Sequence, residues 1–566
     1  MITTKLNNMR IAITGIGIIS ALGLGKEANK ANLLAGRSGI CAPRILPTIH
    51  KEWPVGEVGM TNEQLKQQCR QKADSPCPRN VLLAYAAASE AVADAHLTPE
   101  QVEDLILVNG TTVGGMDSTE NEVGKWLKGN TENLDNIIFH EAGATSFLLS
   151  HMLGGTAGQT TISTACSSAL NAIMYGADLL RMKASKRVLV GGTEALTRFH
   201  LNGFGSLGIL SEQVCRPFHP DRDGINLGEG AAYLVLETEE EALARGASIY
   251  GYVSGYGNRC DAYHQTASSP TGTGAFLAMH KALLMAELKP ADIEYLNAHG
   301  TATPNNDASE ACAIERLFGT PFEGSRWPEP RSTKNLTGHT TSASGSIEAI
   351  FCLMLMQERG YKHVMTNAFG FGGNDSSLIL SAEPTNLPEL SVAPEIEEFP
   401  VVSIDEDPDT QQYLSPMQAR RMNSQMRRMV VAAKQALEQA GISVPDAIIV
   451  GTRWGGIVPT MELLKTLVTN GEYDFSPTLF MQSTHNTAAS TLAMLLGCRG
   501  FNCTISEGVA SFEYARSGAI VRLADPNVLN VLVCGYDEED PDWQKWLARV
   551  DDSCPRMAKA FVIKKK

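Results

Sequence analysis

Three side chains define the chemistry open to this sequence. Cys166 lies in residues 161–169, TISTACSSA, between a β-type run and a segment of helical periodicity that begins near Ser167. A thiol placed there faces the unpaired backbone N–H groups and the positive dipole end of a helix N-terminus, which predicts a lowered thiol pKa and a cradle for a developing oxyanion. His299 sits in NAHGTATPNND, where a strand-like YLNA enters a turn rich in Gly, Thr and Pro; His339 sits in STKNLTGHTTSASGSIE, five residues after Lys334. Taken singly, each has a structural reading: a cysteine among Ala and Ser is often packing, and a histidine beside Gly is often part of a turn. Taken together, a thiol and two imidazoles supply a nucleophile and two groups that donate or accept hydrogen bonds near neutral pH, the requirements of acyl transfer through a thioester.

Those residues need a scaffold. Up to about residue 383, short β-branched runs alternate with Ala/Leu-rich amphipathic stretches, which predicts layered α/β architecture. Residues 105–108 (LILV), 188–190 and 232–236 read as strands, and 81–95 and 168–182 as helices. In the apolar opening RIAITGIGIISALGLG, residues 11–13 read as a buried strand and Gly15 and Gly17 as the turn leaving it, so it is not read as a signal peptide. No stretch reaches the ~18 uninterrupted apolar residues of a membrane span. The 566 residues carry 62 acidic and 47 basic side chains, a formal net charge of -15 that disfavours nucleic-acid partners. Twelve cysteines without a CxxC pair or a metal-ligand histidine cluster point to a reducing, cytoplasmic setting and no metal site. Residues 384–409, with five prolines, eight Asp/Glu and no Lys or Arg, read as a linker, although the FPVVSI within it could start another sheet.

Beyond that stretch the chain repeats its own front. GTTVGGM (110–116) reappears as GTRWGGI (451–457), and TISTACSS from Thr161 as TISEGVAS from Thr504, 343 positions later. The same offset carries Gly192-Thr193-Glu194 onto Gly535-Tyr536-Asp537 and Cys166 onto Val509. Constant order and spacing indicate a duplicated half-domain whose copy lacks the nucleophile.

Across residues 8–383 the sequence resembles the beta-ketoacyl synthase family: TGIGIIS, LLAGRSGI, the TACSSA elbow, RPFHPDRDGINLGEGAAYLVLE, HGTATP, KNLTGH and NAFGFGG follow in the family's order. The resemblance implies a thiolase-like αβαβα fold built of two pseudo-equivalent halves, residues 1–245 and 246–383, followed by the linker 384–409 and a third, partial half at 410–566. It implies that Cys166 carries the acyl thioester, that His299 and His339 assist decarboxylation, that Lys334 positions one of those histidines, and that Glu310 is a structural acid beside the site. The backbone N–H groups of Cys166 and Phe371 would form the oxyanion hole; Phe371, between glycines, would be a mobile gate, and Val113 and Met116 would limit the acyl pocket. Arg70, Lys72 and Arg79 are candidates for docking an acidic carrier protein. The family usually has Thr-Asn after GFGG and GAAG after GH, whereas this chain has Asn374-Asp375 and Ser342-Ala343-Ser344-Gly345.

The reaction so implied is decarboxylative Claisen condensation of an acyl thioester with malonyl-acyl carrier protein. No bound cofactor is implied, since the substrates ride on carrier-protein phosphopantetheine. A thiolase usually replaces one histidine with a second cysteine. The third half, with HNTAA at 485–489, resembles truncated chain-length-factor-like proteins of type II polyketide and aryl-polyene systems. It implies a polyene or polyketide substrate, or ordinary fatty-acid elongation, and a homodimer or a heterodimer with another ketosynthase or chain-length-factor subunit. The alternative is a non-catalytic chain-length-factor scaffold for a partner ketosynthase. A half fold leaves an apolar face uncovered, so it should dock on the body or on another subunit.

Overall fold

The apolar opening becomes one uninterrupted strand, Ile11–Ser20, buried along its whole length. Gly15 and Gly17 are not the turn that sequence suggests. A Cβ at either position would collide with the backbone of residues 87–95 in and just after helix Arg79–Asp94, so glycine is there to let the helix approach the strand. This computed structural model describes residues 8–130, 135–319, 330–390, 394–550 and 555–566.

Two sheets share one strand order. In the first, Gly158–Ile162, Ile106–Gly110 and Arg187–Glu194 run parallel, and Gly230–Thr238 and Ile11–Ser20 follow antiparallel. In the second the order is Pro330–Arg331, Tyr295–Asn297, His363–Gly370, Asn374–Ser381 and Gly251–Cys260. Helices Ser168–Arg181 and Ser344–Arg359 pack between the sheets, and the former buries every residue except Tyr175. Helix Arg79–Asp94 covers the first sheet from outside and Thr273–Ala286 covers the second, completing five alternating layers. The strands read as continuous apolar runs because both of their faces are buried.

The third half repeats the first more fully than its motifs revealed. Its order is Phe501–Ile505, Ala447–Gly451, Asn530–Asp537, Met557–Lys565, then Ile396–Glu398 and Val402–Ser403 on the last strand. Those two short strands fall within 384–409, where composition suggested a linker; FPVVSI (399–404) supplies the second, whereas Ile396–Glu398 precedes it, and residues 391–393 of that stretch lie outside the described residues.

This half docks on the body, edge to edge. Ile505 pairs antiparallel with Ile162, Ser163 N–H donates to Thr504 O and Ser506 N–H donates to Thr161 O, each at 3.0 Å. The two bonds interchange under the 343-residue offset, so a local twofold relates the strands and each covers the other's open edge. An apolar cluster continues the contact: Val113, Met116, Phe199 and Phe204 pack with Trp454, Met461 and Phe480. Helix Ser511–Leu523 exposes Glu513 and Ser517 on its outer side.

Candidate active site

Strand Gly158–Ile162 ends in a tight elbow that presents Cys166 ahead of helix Ser168–Arg181. Ala165 takes the left-handed conformation at φ 53°, strain that a non-glycine residue bears only when its surroundings enforce it. Ser168 Oγ accepts from Thr164 N–H at 2.9 Å and donates to Ala165 O at 2.6 Å, stapling the turn. Ser167 Oγ lies 2.8 Å from Asn374 Oδ1, and Asn374 donates to Asn502 O at 2.6 Å. The departure from Thr-Asn therefore ties the elbow to the third half.

His339 is fixed through its backbone, donating to Asn226 O at 2.7 Å and accepting from Gly228 N–H at 2.9 Å. Its Nε2 lies 2.9 Å from Cys166 Sγ, and its Nδ1 lies 3.0 Å from Ser344 Oγ. Ser344 belongs to the SASG departure, so the unusual serine contacts the His339 imidazole. The His299 ring meets that of His339 edge-on, with centroids 5.4 Å apart. Glu310, on helix Pro304–Phe318, accepts from the N–H groups of His299 and Gly300 at 2.9 Å and from Asn367 at 3.1 Å. Burial raises its carboxyl to about 7 while these donors pull it back, consistent with a brace for the His299 turn.

Lys334 is fully buried and paired with Glu348 at 2.5 Å. Burial lowers both histidines well below the ordinary imidazole pKa, and the Lys334 cation reinforces the shift on each. Two neutral imidazoles result, each with an N–H to donate. The thiol departs from expectation: burial pushes Cys166 up to about 12, against the pull of Lys334 and of the Phe371 and Cys166 backbone N–H groups. Removal from water outweighs the helix terminus, so Cys166 rests as a thiol against a neutral imidazole.

Both expected oxyanion donors, Phe371 N–H and Cys166 N–H, face Sγ. The Phe371 ring stacks on Phe204, with centroids 5.6 Å apart. A cavity of about 330 Å³ is lined by Cys166, His299, His339, Phe371 and Phe204, with Thr301 and Thr303 adding hydroxyls 2.9 Å apart. Cys166, His299 and His339 each bring one donor atom within 4.8 Å of the others.

Other expected residues fall elsewhere. Val113 and Met116 do not line this cavity; they belong to the apolar cluster shared with the third half. Arg79 is buried, bonded to Glu229 at 2.6 Å and to the Val58 and Met60 carbonyls, and cannot dock a carrier protein, whereas Arg70 and Lys72 are exposed. Sequence reasoning noted Ser344 only as a departure from the usual motif and Asn486 only within HNTAA; their contacts, the first with His339 and the second donating to Phe371 O at 2.7 Å, come from the structure.

Residues 8–242 match the beta-ketoacyl synthase N-terminal domain, 250–365 the C-terminal domain, and 395–566 a second form of the N-terminal domain. The chain is 32% identical over 410 residues to 3-oxoacyl-[acyl-carrier-protein] synthase 2 of Staphylococcus aureus, which covers 66% of this chain and 98% of that protein. The chain belongs to the beta-ketoacyl synthase family. The Rhizobium meliloti 3-oxoacyl-[acyl-carrier-protein] synthase 2 is 33% identical over 428 residues. Among solved structures, the ishigamide ketosynthase/chain length factor is 30% identical with a TM-score of 0.62, covering 67% of this chain and 100% of that one. The PfaC keto synthase-chain length factor, 16% identical, superposes on 98% of this chain and 78% of its own with a TM-score of 0.77, which shows that all three halves share its fold. This ketosynthase is thus placed among the 3-oxoacyl-[acyl-carrier-protein] synthases, acyltransferases that use no metal or small cofactor and take substrates carried on acyl carrier protein. No helix among its described residues is long and apolar enough to cross a membrane.

Proposed function

We infer that this ketosynthase is catalytically active and condenses an acyl group held on Cys166 with malonyl-acyl carrier protein. The observation that carries the reading is the convergence on one sulfur of His339 Nε2 at 2.9 Å and two backbone N–H groups, with neutral His299 alongside. In the first step the acyl carbon leaves the carrier thiol for Sγ. The Cys166 proton passes by way of His339 to the departing thiol, and the two N–H groups hold the tetrahedral oxyanion. The malonyl thioester then enters the same cavity. His299 and His339 donate hydrogen bonds to its thioester oxygen while carbon dioxide leaves, so the carbanion forms as a stabilised enolate. That carbanion attacks the acyl carbon on Cys166 and expels Sγ, giving 3-oxoacyl-carrier protein; the departing thiolate takes one proton from water by way of His339 and returns to the thiol.

Lys334 acts through the histidines: its charge keeps both neutral and able to donate. Thr301 and Thr303 offer hydroxyls to the amides of a phosphopantetheine arm, and exposed Arg70 and Lys72 are the remaining docking candidates for the acidic carrier. A chain-length-factor role suits the third half, because Val509 stands where the nucleophile would be. The chain's likeness to ketosynthases solved with chain length factors supports that pairing, and the substrate proposed for it is a polyene or polyketide chain. Because this half already covers the Gly158–Ile162 edge, a second chain is not needed there.

The test supplies acyl-carrier protein with either malonyl- or acetyl-carrier protein. A 3-oxoacyl product with carbon dioxide release from the malonyl donor alone supports condensation by decarboxylation. Equal use of the acetyl donor would make the enzyme a thiolase, and no product from either would leave the scaffold reading.

A further inference from the structure

We propose that Asn486, contributed by the third half, is a positioning residue that latches the Phe371 gate and so keeps the oxyanion hole assembled. The Phe371–Gly372 peptide is clamped at both ends. Its carbonyl accepts from Asn486 Nδ2 at 2.7 Å and its N–H donates to Gln265 O at 2.6 Å. Phe371 lies between this clamped peptide and the end of strand His363–Gly370, and the N–H it turns towards Cys166 is thereby fixed. A backbone swing that carries Phe371 off Phe204 would move the clamped peptide and break the Asn486 bond.

Two further observations bear on the latch. Gly372 has φ 85°, and a Cβ on it would come within 2.6 Å of Ser490 Cβ, so helix Thr487–Leu496 of the third half packs directly on the gate. Asn486 Oδ1 is buried without a hydrogen-bond partner, and a small cavity lined by Gln265, Phe371, Gly372, Phe480 and Asn486 adjoins it. An unused acceptor therefore lies beside the loop, available to a displaced N–H.

The pseudo-twofold supplies an internal contrast. HEAGATS at 140–146 corresponds to HNTAAST at 485–491, which places Glu141 at the station of Asn486. Glu141 instead pairs with Arg453 at 2.8 Å, and among the described residues no counterpart of the Phe371 loop meets it. A carboxylate cannot donate to a carbonyl, so the amide is specific to the side that carries the catalytic centre.

The test compares two reactions of Cys166. Acyl transfer from an acyl-carrier protein needs the oxyanion hole; alkylation, in which Sγ displaces iodide from iodoacetamide and hydrogen iodide is released, does not. This rests on the acyl-transfer reading, so wild type is measured in parallel; failure of wild type to acylate would defeat that reading, not the latch alone. With wild type active, Asn486→Ala and Asn486→Asp should slow acyl transfer about ten-fold or more, part of what losing one oxyanion donor costs, while alkylation stays equal or rises. If the aspartate variant does not fold, the alanine variant, which buries no new charge, carries the test. Unchanged acyl transfer, or an equal fall in both reactions, would overturn the proposal.

Discussion

The chain contains the same elbow twice. At the first, Ala165 has φ 53° and Ser168 bonds Thr164 N–H at 2.9 Å and Ala165 O at 2.6 Å. At the second, Gly508 has φ 57° and Ser511 bonds Glu507 N–H at 2.9 Å and Gly508 O at 2.7 Å. Glu194 accepts from Thr111 and Thr112 as Asp537 accepts from Thr452 and Arg453. Yet Cys166 is 5% exposed and Val509 is 80% exposed. The backbone device is inherited intact; what separates the two is the side chain at the tip, Cys166 against Val509, and the half-domain that brings His299, His339 and a buried lysine over the first. The comparison predicts that elbow geometry alone does not suffice for this chemistry.

The largest predicted effect is Cys166→Ala, which should reduce condensation by at least ~10⁴-fold in a product assay, as loss of a nucleophile does in comparable units. Its counterpart, Val509→Cys, should acquire no acyl label at position 509 when acyl-carrier protein is added. Acylation there would break the comparison by showing that the elbow alone suffices. Next, His299→Ala and His339→Ala should each lower malonyl decarboxylation ~10²- to 10⁴-fold, whereas no histidine substitution in the third half should act through proton donation.

Lys334→Met leaves Glu348 buried and unpaired, which should cost about 3–5 kcal/mol of stability in denaturant titration. Lys334→Met with Glu348→Leu should recover most of that stability and still change the pH profile. In wild type the histidine pKa values lie well below the ordinary imidazole value, so both rings stay neutral as pH falls through 6.5. Without the cation their pKa values rise, the rings protonate at higher pH, and decarboxylation should begin to fall on the acid side at a higher pH than in wild type. An identical acid limb would refute the role given to Lys334. The smallest effect belongs to Ser344→Ala, which removes the hydroxyl at His339 Nδ1: a loss of only a few-fold in kcat, with the 3-oxoacyl product unchanged.

Much of this was legible in the sequence because the signals were local. Cys166, His299, His339 and Lys334 stand in short motifs, and the 343-residue offset exposed both the third half and its missing nucleophile. Distant partners were the limit. Arg79 looked like a docking cation because its carboxylate, Glu229, lies 150 residues away. The HNTAA stretch was visible, but Asn486 gained meaning only when Phe371, 115 residues distant, came to face it. Strands Ile396–Glu398 and Val402–Ser403 hid in an acidic, proline-rich segment because they sit at the margin of the sheet, where burial does not demand an apolar run. The thiol pKa failed for another reason: the dipole can be inferred from a helix boundary, whereas burial needs the whole fold.

The central claim is that the nucleophile works at the first elbow only, and intact-protein mass spectrometry tests it most directly. Wild type and Cys166→Ala are incubated with short acyl-carrier proteins, followed by malonyl-carrier protein. The account predicts a single acyl adduct that maps to Cys166, is absent from the variant, and disappears when the malonyl donor yields 3-oxoacyl product. No adduct on the wild type across several acyl groups, or an adduct that persists in Cys166→Ala, would contradict it.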